Sequence, residues 1–168
     1  MHKPMILMLG AALLGCAPAP GPAAGTGPGE TVGLTIKSWG KPLFAWTLTP
    51  QGEGVFTYAD EGATKDFRDY VLKTKRISAG RAGYAQVAKL LSPGRRYAGE
   101  KLPCERRITD MPYGVISWGA EPAMQVKYDL GCQSAATTPV YDGMKRAQDL
   151  MKGWADKEPV AETRPGGQ

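Results

Sequence analysis

The chain has 168 residues, a formal net charge of +5 and a mean hydropathy of −0.31. Its one histidine is His2, and its three cysteines, Cys16, Cys104 and Cys132, show no Cys-x-x-Cys spacing, so the sequence offers no zinc-binding pattern. Charge is uneven along the chain: residues 65–107 hold twelve Lys/Arg against four Asp/Glu.

The chain opens with a basic head, Met1-His2-Lys3, and an apolar run of 12 residues from Pro4 to Gly15. That run is shorter than the ~20 residues needed to span a bilayer and has the length and small terminal residues of a signal-peptide core. Leu13-Leu14-Gly15-Cys16 resembles the lipobox of bacterial lipoproteins. The resemblance implies cleavage after residue 15, acyl chains on Cys16, and a domain that folds outside the cytoplasm. The alternative is non-lipid cleavage after Ala17-Pro18-Ala19, although Pro18 and Pro20 suit such a site badly. One acyl chain anchors only marginally, so stable membrane attachment takes more than one; mature lipoproteins of this kind carry two or three. Ala17 at the following position implies sorting to the periplasmic face of the outer membrane. His2 leaves with the signal segment, so the mature chain has no histidine for a Ser-His-Asp triad, a Cys-His pair or a histidine-ligated metal.

Residues 16–30, rich in Pro, Gly and Ala, cannot bury enough apolar surface to offset the entropy of ordering them and read as a tether. A single domain is expected over residues 31–156, with a polar, disordered tail over 157–168. Val32, Leu34 and Ile36 alternate with polar or small residues, the period of a half-buried strand. A turn at Ser38-Trp39-Gly40-Lys41-Pro42 leads to a second strand over Leu43–Thr49, and the break at Pro50–Gly54 to a third over Val55–Tyr58. Trp39, bracketed by Gly40 and Pro42, is expected to be exposed. Phe67 to Ile77 reads as a fourth strand.

Ser78 then stands as an N-cap for a helix with Tyr84, Val87, Ala88 and Leu91 on one face, ended by Ser92-Pro93-Gly94. Residues 95–112 read as irregular, and two more strands follow at Tyr113–Trp118 and Met124–Leu130. Thr138-Pro139 starts a second helix whose apolar stripe is Val140, Met144, Ala147, Met151 and Trp154. The order ββββαββα gives an α+β domain, an antiparallel sheet of about six strands with two helices on one face. With Cys16 acylated in an oxidising compartment, Cys104 and Cys132 read as one disulfide closing a loop of about 29 residues, worth roughly 3–4 kcal/mol.

The segments Thr47–Tyr58, Ile77–Leu91, Asp110–Pro112 and Met144–Trp154 resemble a family of small exported bacterial proteins of unknown function. That family has a glycine-containing hairpin, a helix after Ile-Ser, an Asp-x-Pro segment before a strand pair and a closing helix. The resemblance implies the same α+β fold and no particular activity.

No catalytic constellation emerges. Ser38-x-x-Lys41 has the spacing of penicillin-recognising enzymes, but those set the pair on a helix, whereas Gly40 and Pro42 place it in a turn. Glu100, Glu105 and Asp110 lie among Arg95, Arg96, Arg106 and Arg107 and read as surface ion pairs, with Asp110 capping a turn. The functional expectation is a non-catalytic, lipid-anchored envelope protein without cofactor or metal, whose partners are the membrane through Cys16 and an envelope protein, cell-wall glycan or anionic lipid, and not nucleic acid. Arg95, Arg96, Lys101, Arg106 and Arg107 form its expected anion-binding surface. The alternatives are a solvated basic face with no ligand and, among enzymes, a carboxylate-dependent envelope hydrolase.

Overall fold

The computed structural model describes residues 29–63, 67–119 and 124–166. The stretch expected to be a signal peptide, Cys16, and the part of the expected tether up to residue 28 lie outside the described residues. The elements are β1 (Val32–Ser38), β2 (Lys41–Leu48), β3 (Glu53–Asp60), β4 (Val71–Ser78), α1 (Gly80–Arg95), β5 (Arg106–Arg107), β6 (Tyr113–Trp118), β7 (Met124–Asp129), β8 (Cys132–Gln133), α2 (Thr138–Ala155) and β9 (Val160–Pro165).

Seven strands form one antiparallel sheet in the order β7-β6-β1-β2-β3-β4-β9, and β5 pairs with β8 in a separate two-stranded ribbon. The α+β class and the single helical layer follow from the alternation in the strands. Register places Leu34 beside both Trp46 and Ile116, Val32 beside Leu48 and Trp118, and Phe56 beside Trp46. Those positions, with Ile77, Val126 and Tyr128, are buried on one face of the sheet. They pack against Val87 and Leu91 of α1 and Val140, Met144, Ala147, Met151 and Ala155 of α2. Spacings of three and four residues keep each helical set on one stripe.

The strand count is seven rather than six, because the segment expected to be a disordered tail contributes β9. All six of its side chains are exposed and it is held to β4 by ladder hydrogen bonds. A strand that buries no face has no apolar period to read. The first helix does not stop at Ser92-Pro93-Gly94 but runs through Pro93 to Arg95. Proline removes the N–H that would reach the carbonyl of Lys89, and the Ser92 hydroxyl donates to that carbonyl instead, at 2.8 Å. Ser78 ends β4, its hydroxyl donating to Glu53, and Ala79 holds the cap position without a side-chain hydrogen bond. The irregular stretch 95–112 contains β5. Trp39 is 72% exposed at its turn, as expected.

Gly52 sits in the β2–β3 turn with φ +88°, where a Cβ would lie 2.2 Å from the Gly80 carbonyl oxygen; its own carbonyl accepts from Ala79 N–H at 2.8 Å. Gly143 does the same for the helix pair: a Cβ there would lie 2.1 Å from the Leu90 carbonyl oxygen. Alanine is favoured over glycine inside a helix by up to ~1 kcal/mol. At Gly143 the clash should exceed that gain, and Gly143→Ala should lower stability by about 1–3 kcal/mol. Gly153→Ala, in the same helix with open space at its Cβ, should raise it by about 0.5–1 kcal/mol. Equal denaturation midpoints for the two variants would show that the helices do not meet at Gly143.

Candidate functional site: a stapled basic segment

Arg95 and Arg96 close α1, where cations complement the helix dipole. Arg95 Nη1 forms an ion pair with Glu30 at 2.7 Å, both side chains partly exposed. The Arg96 guanidinium lies 4.7 Å from the centre of the Tyr97 ring, and its Nη2 donates to the Ala136 carbonyl at 3.5 Å. The chain then runs along the outer edge of β7: Gly99 N–H donates to the Gln125 carbonyl at 2.9 Å, and Lys101 forms a parallel bridge to Lys127. Two lysines therefore stand abreast at this edge.

Cys104 and Cys132 form the expected disulfide, their Cα atoms 5.1 Å apart. Immediately after it, β5 pairs with β8, Arg106 facing Gln133 and Arg107 facing Cys132. Arg106 donates to the Gln133 side-chain oxygen. Arg107, one residue on, falls on the other side of the strand. Arg96 and Arg106 thus converge on the 133–136 turn from two elements, whereas Arg95 turns toward Glu30 and Lys101 toward β7. Among the described residues, Arg96, Lys101, Arg106 and Arg107 enter no ion pair.

The turn they meet at is internally hydrogen-bonded. The buried Thr137 hydroxyl donates to the Ser134 carbonyl at 3.0 Å and accepts from Ser134 N–H at 3.1 Å. The Tyr141 hydroxyl lies 2.9 Å from the carbonyl oxygens of both Asp129 and Cys132. Burial, with the Asp129 charge adding to it, raises the Tyr141 pKa above its ordinary value. An open cleft of about 450 Å³ borders this turn, with Glu105, Arg106, Gln133, Ser134, Tyr141 and Asp142 on its walls.

The carboxylates singled out in the sequence do not gather: Glu100, Glu105 and Asp110 are all exposed, and Asp110 takes a left-handed turn conformation with φ 62°. Ser38 and Lys41 face each other across the β1–β2 turn. Lys41 is buried, paired with Glu61 and set 4.8 and 4.9 Å from the Phe67 and Tyr70 rings. That environment compensates a buried ammonium and gives it a structural task. Among the described residues no group of His, Cys, Asp or Glu is placed to hold a metal, and no helix is long and apolar enough to cross a membrane. Sequence reading missed Lys127 and the 133–136 turn. Lys127 was visible as a polar position in β7, but only the fold brings it beside Lys101.

No protein-family model, curated protein or solved structure matches the chain.

The disulfide joins the basic segment to β8, three residues past the end of β7, so its loss should act on both stability and order. Cys132→Ala should lower stability by roughly 2–5 kcal/mol, and alkylation of the unreduced protein should label neither Cys104 nor Cys132. Quantitative labelling of both thiols would rule the bond out.

Proposed function

We propose that the chain is a non-catalytic envelope lipoprotein, anchored through Cys16 to the periplasmic face of the outer membrane, whose domain binds anionic envelope material through its basic segment. The observation that carries this reading is the disulfide-stapled stretch from Arg95 to Arg107, with four cations lacking an acidic partner among the described residues. Like charges held close repel one another, and an anionic ligand relieves that repulsion. Backbone pairing at Gly99, Lys101, Arg106 and Arg107 fixes the strands that carry the charges, which reduces the ordering cost of binding. The tether of residues 16–30 would keep the domain near cell-wall polymer and lipid head groups, so that weak individual contacts act at high effective concentration.

A second reading, a carboxylate-dependent envelope hydrolase, draws on Glu105 and Asp142, which border the same cleft. Both are exposed, whereas a carboxylic acid that must hold its proton at neutral pH needs apolar surroundings. The binding reading is the better supported.

Anchoring is tested by Cys16→Ser, which should release the protein from the membrane fraction or leave the precursor uncut. Unchanged mass and unchanged membrane retention would remove the lipoprotein assignment. Binding is tested on domain released from its lipid, using purified cell wall and, separately, anionic vesicles. Changing Arg95, Arg96, Arg106 and Arg107 to Gln should weaken retention roughly tenfold or more at low salt, from several contacts each worth up to ~1 kcal/mol. Salt should weaken the unaltered protein similarly, because exposed charges are screened beyond about 8 Å at physiological ionic strength. Equal retention of the two forms at low salt would leave the segment a solvated face.

A further inference from the structure

At the opposite side of the sheet, the helical layer stops short of the rings beneath it. Phe44, Phe56 and Tyr58 lie on the helix-covered face, since Phe44 pairs with Tyr58 and Trp46 with Phe56 in the β2–β3 register. Phe56 is buried, but Phe44 and Tyr58 remain only half-buried, because α2 ends at Ala155 and the chain leaves toward β9. The rings lie side by side: Phe44 and Phe56 are near-parallel with centres 6.1 Å apart, and Tyr58, tilted by 41°, is 6.3 Å from Phe56. Above them is a groove of about 410 Å³, bounded by Lys75 of β4 and by Gln148, Lys152 and Asp156 at the end of α2.

Two hydrogen bonds hold the groove open at a set width. Trp46 Nε1 donates to the Gln148 side-chain oxygen at 2.9 Å, and Lys75 Nζ donates to the Ala155 carbonyl at 3.0 Å. The groove therefore exists before any ligand arrives, which is how small-molecule sites with apolar linings and few polar groups are built. At its rim stand two cations, Lys75 and Lys152, against one anion, Asp156, which pairs with Lys152 at 2.6 Å. The partial negative charge of the α2 C-terminus opposes an anion here, but Lys75 is already bonded to one of its terminal carbonyls.

We propose that this groove binds a small anionic amphiphile, an apolar body laid on the Phe44, Phe56 and Tyr58 rings with a carboxylate or phosphate head between Lys75 and Lys152. The site is separate from the basic segment and does not depend on it. The rings supply apolar contact without base-like or metal-like chemistry, and the rim's excess of positive charge selects the sign of the head group.

The test uses the full chain with laurate, dodecanol and dodecylammonium, probes of one chain length and three head-group charges, kept below their micelle concentrations. Backbone amide shifts in a titration should concentrate at Phe44, Phe56, Tyr58, Lys75 and Gln148, with laurate tightest. Lys152→Glu changes an exposed side chain, so the fold should survive. It should weaken laurate about fivefold, the scale of reversing one partly exposed charge, and leave dodecanol unchanged. Tighter binding of dodecylammonium, or equal laurate binding by both forms, would overturn the head-group assignment. Shifts confined to Arg95–Arg107 would overturn the groove itself, while leaving the basic segment as a binding surface. Concentration-dependent dimerisation that protects the same rings would also overturn it, making a second copy the occupant.

Discussion

The close passage of α1 over α2 at Leu90 and Gly143 is the constraint from which the rest of the arrangement follows. With no side chain at Gly143, the two helices lie against each other as one layer, and that layer fits only one face of the sheet. Trp46, 1% exposed and bonded to Gln148, fixes α2 over β2 and β3. The same packing carries the end of α1, with Gly94 against Ile116, Trp118 and Val140, to the far side of the sheet over β6. The ends of the two helices then decide where the chain's remaining segments go.

Two chemically different regions result. Past α1, the segment that begins with Arg95 and Arg96 runs down the β7 edge and is tied to β8 by the disulfide and the β5 pairing. A bare strand edge invites pairing with other chains, and here Gly99 and Lys101 occupy part of it, leaving lysines outward. Past α2, the chain turns into β9 and covers the β4 edge, but leaves the aromatic rings of β2 and β3 half-buried. β9 carries Glu162 and Arg164 and ends at Pro165, features that discourage further edge pairing. The sheet face away from the helices presents Thr47, Val55, Thr57 and Thr74, small or β-branched side chains that suit a pleated surface without a core.

Much of this arrangement was legible in the sequence wherever burial is one-sided. Leu34 and the α2 stripe announced their buried face by period, and Cys104 and Cys132 were read as a bond from the compartment that the Cys16 motif implies. What was hidden lacked such a signal. β9 buries nothing, so no alternation marks it; Pro93 remains helical because Ser92 supplies a donor the pattern cannot show. Lys41 looked like a turn residue, yet Glu61, Phe67 and Tyr70 close around it from segments distant in sequence. The basic residues were evident as composition, but their convergence on Gln133 and Ala136 depends on β8 and on the turn before α2. The strand pattern does not separate Phe56, which is buried, from Phe44 and Tyr58 on the same face, which are half-buried.

The proposed binding role rests on charge carried by hydrogen-bonded backbone. A disulfide, a two-stranded ribbon and an edge pairing hold the backbone that carries Lys101, Arg106 and Arg107, Arg96 caps α1, and the hydroxyl network of Ser134 and Thr137 ties together the turn that Arg96 and Arg106 approach. Hydrogen exchange of the lipid-free domain with and without purified cell wall, repeated with anionic vesicles, tests this most directly. Slower exchange confined to residues 95–107 and 133–136 with at least one of the two is the expected result. Unchanged exchange there with both, or protection on the Thr47–Thr57–Thr74 face instead, would contradict the role assigned to the basic segment.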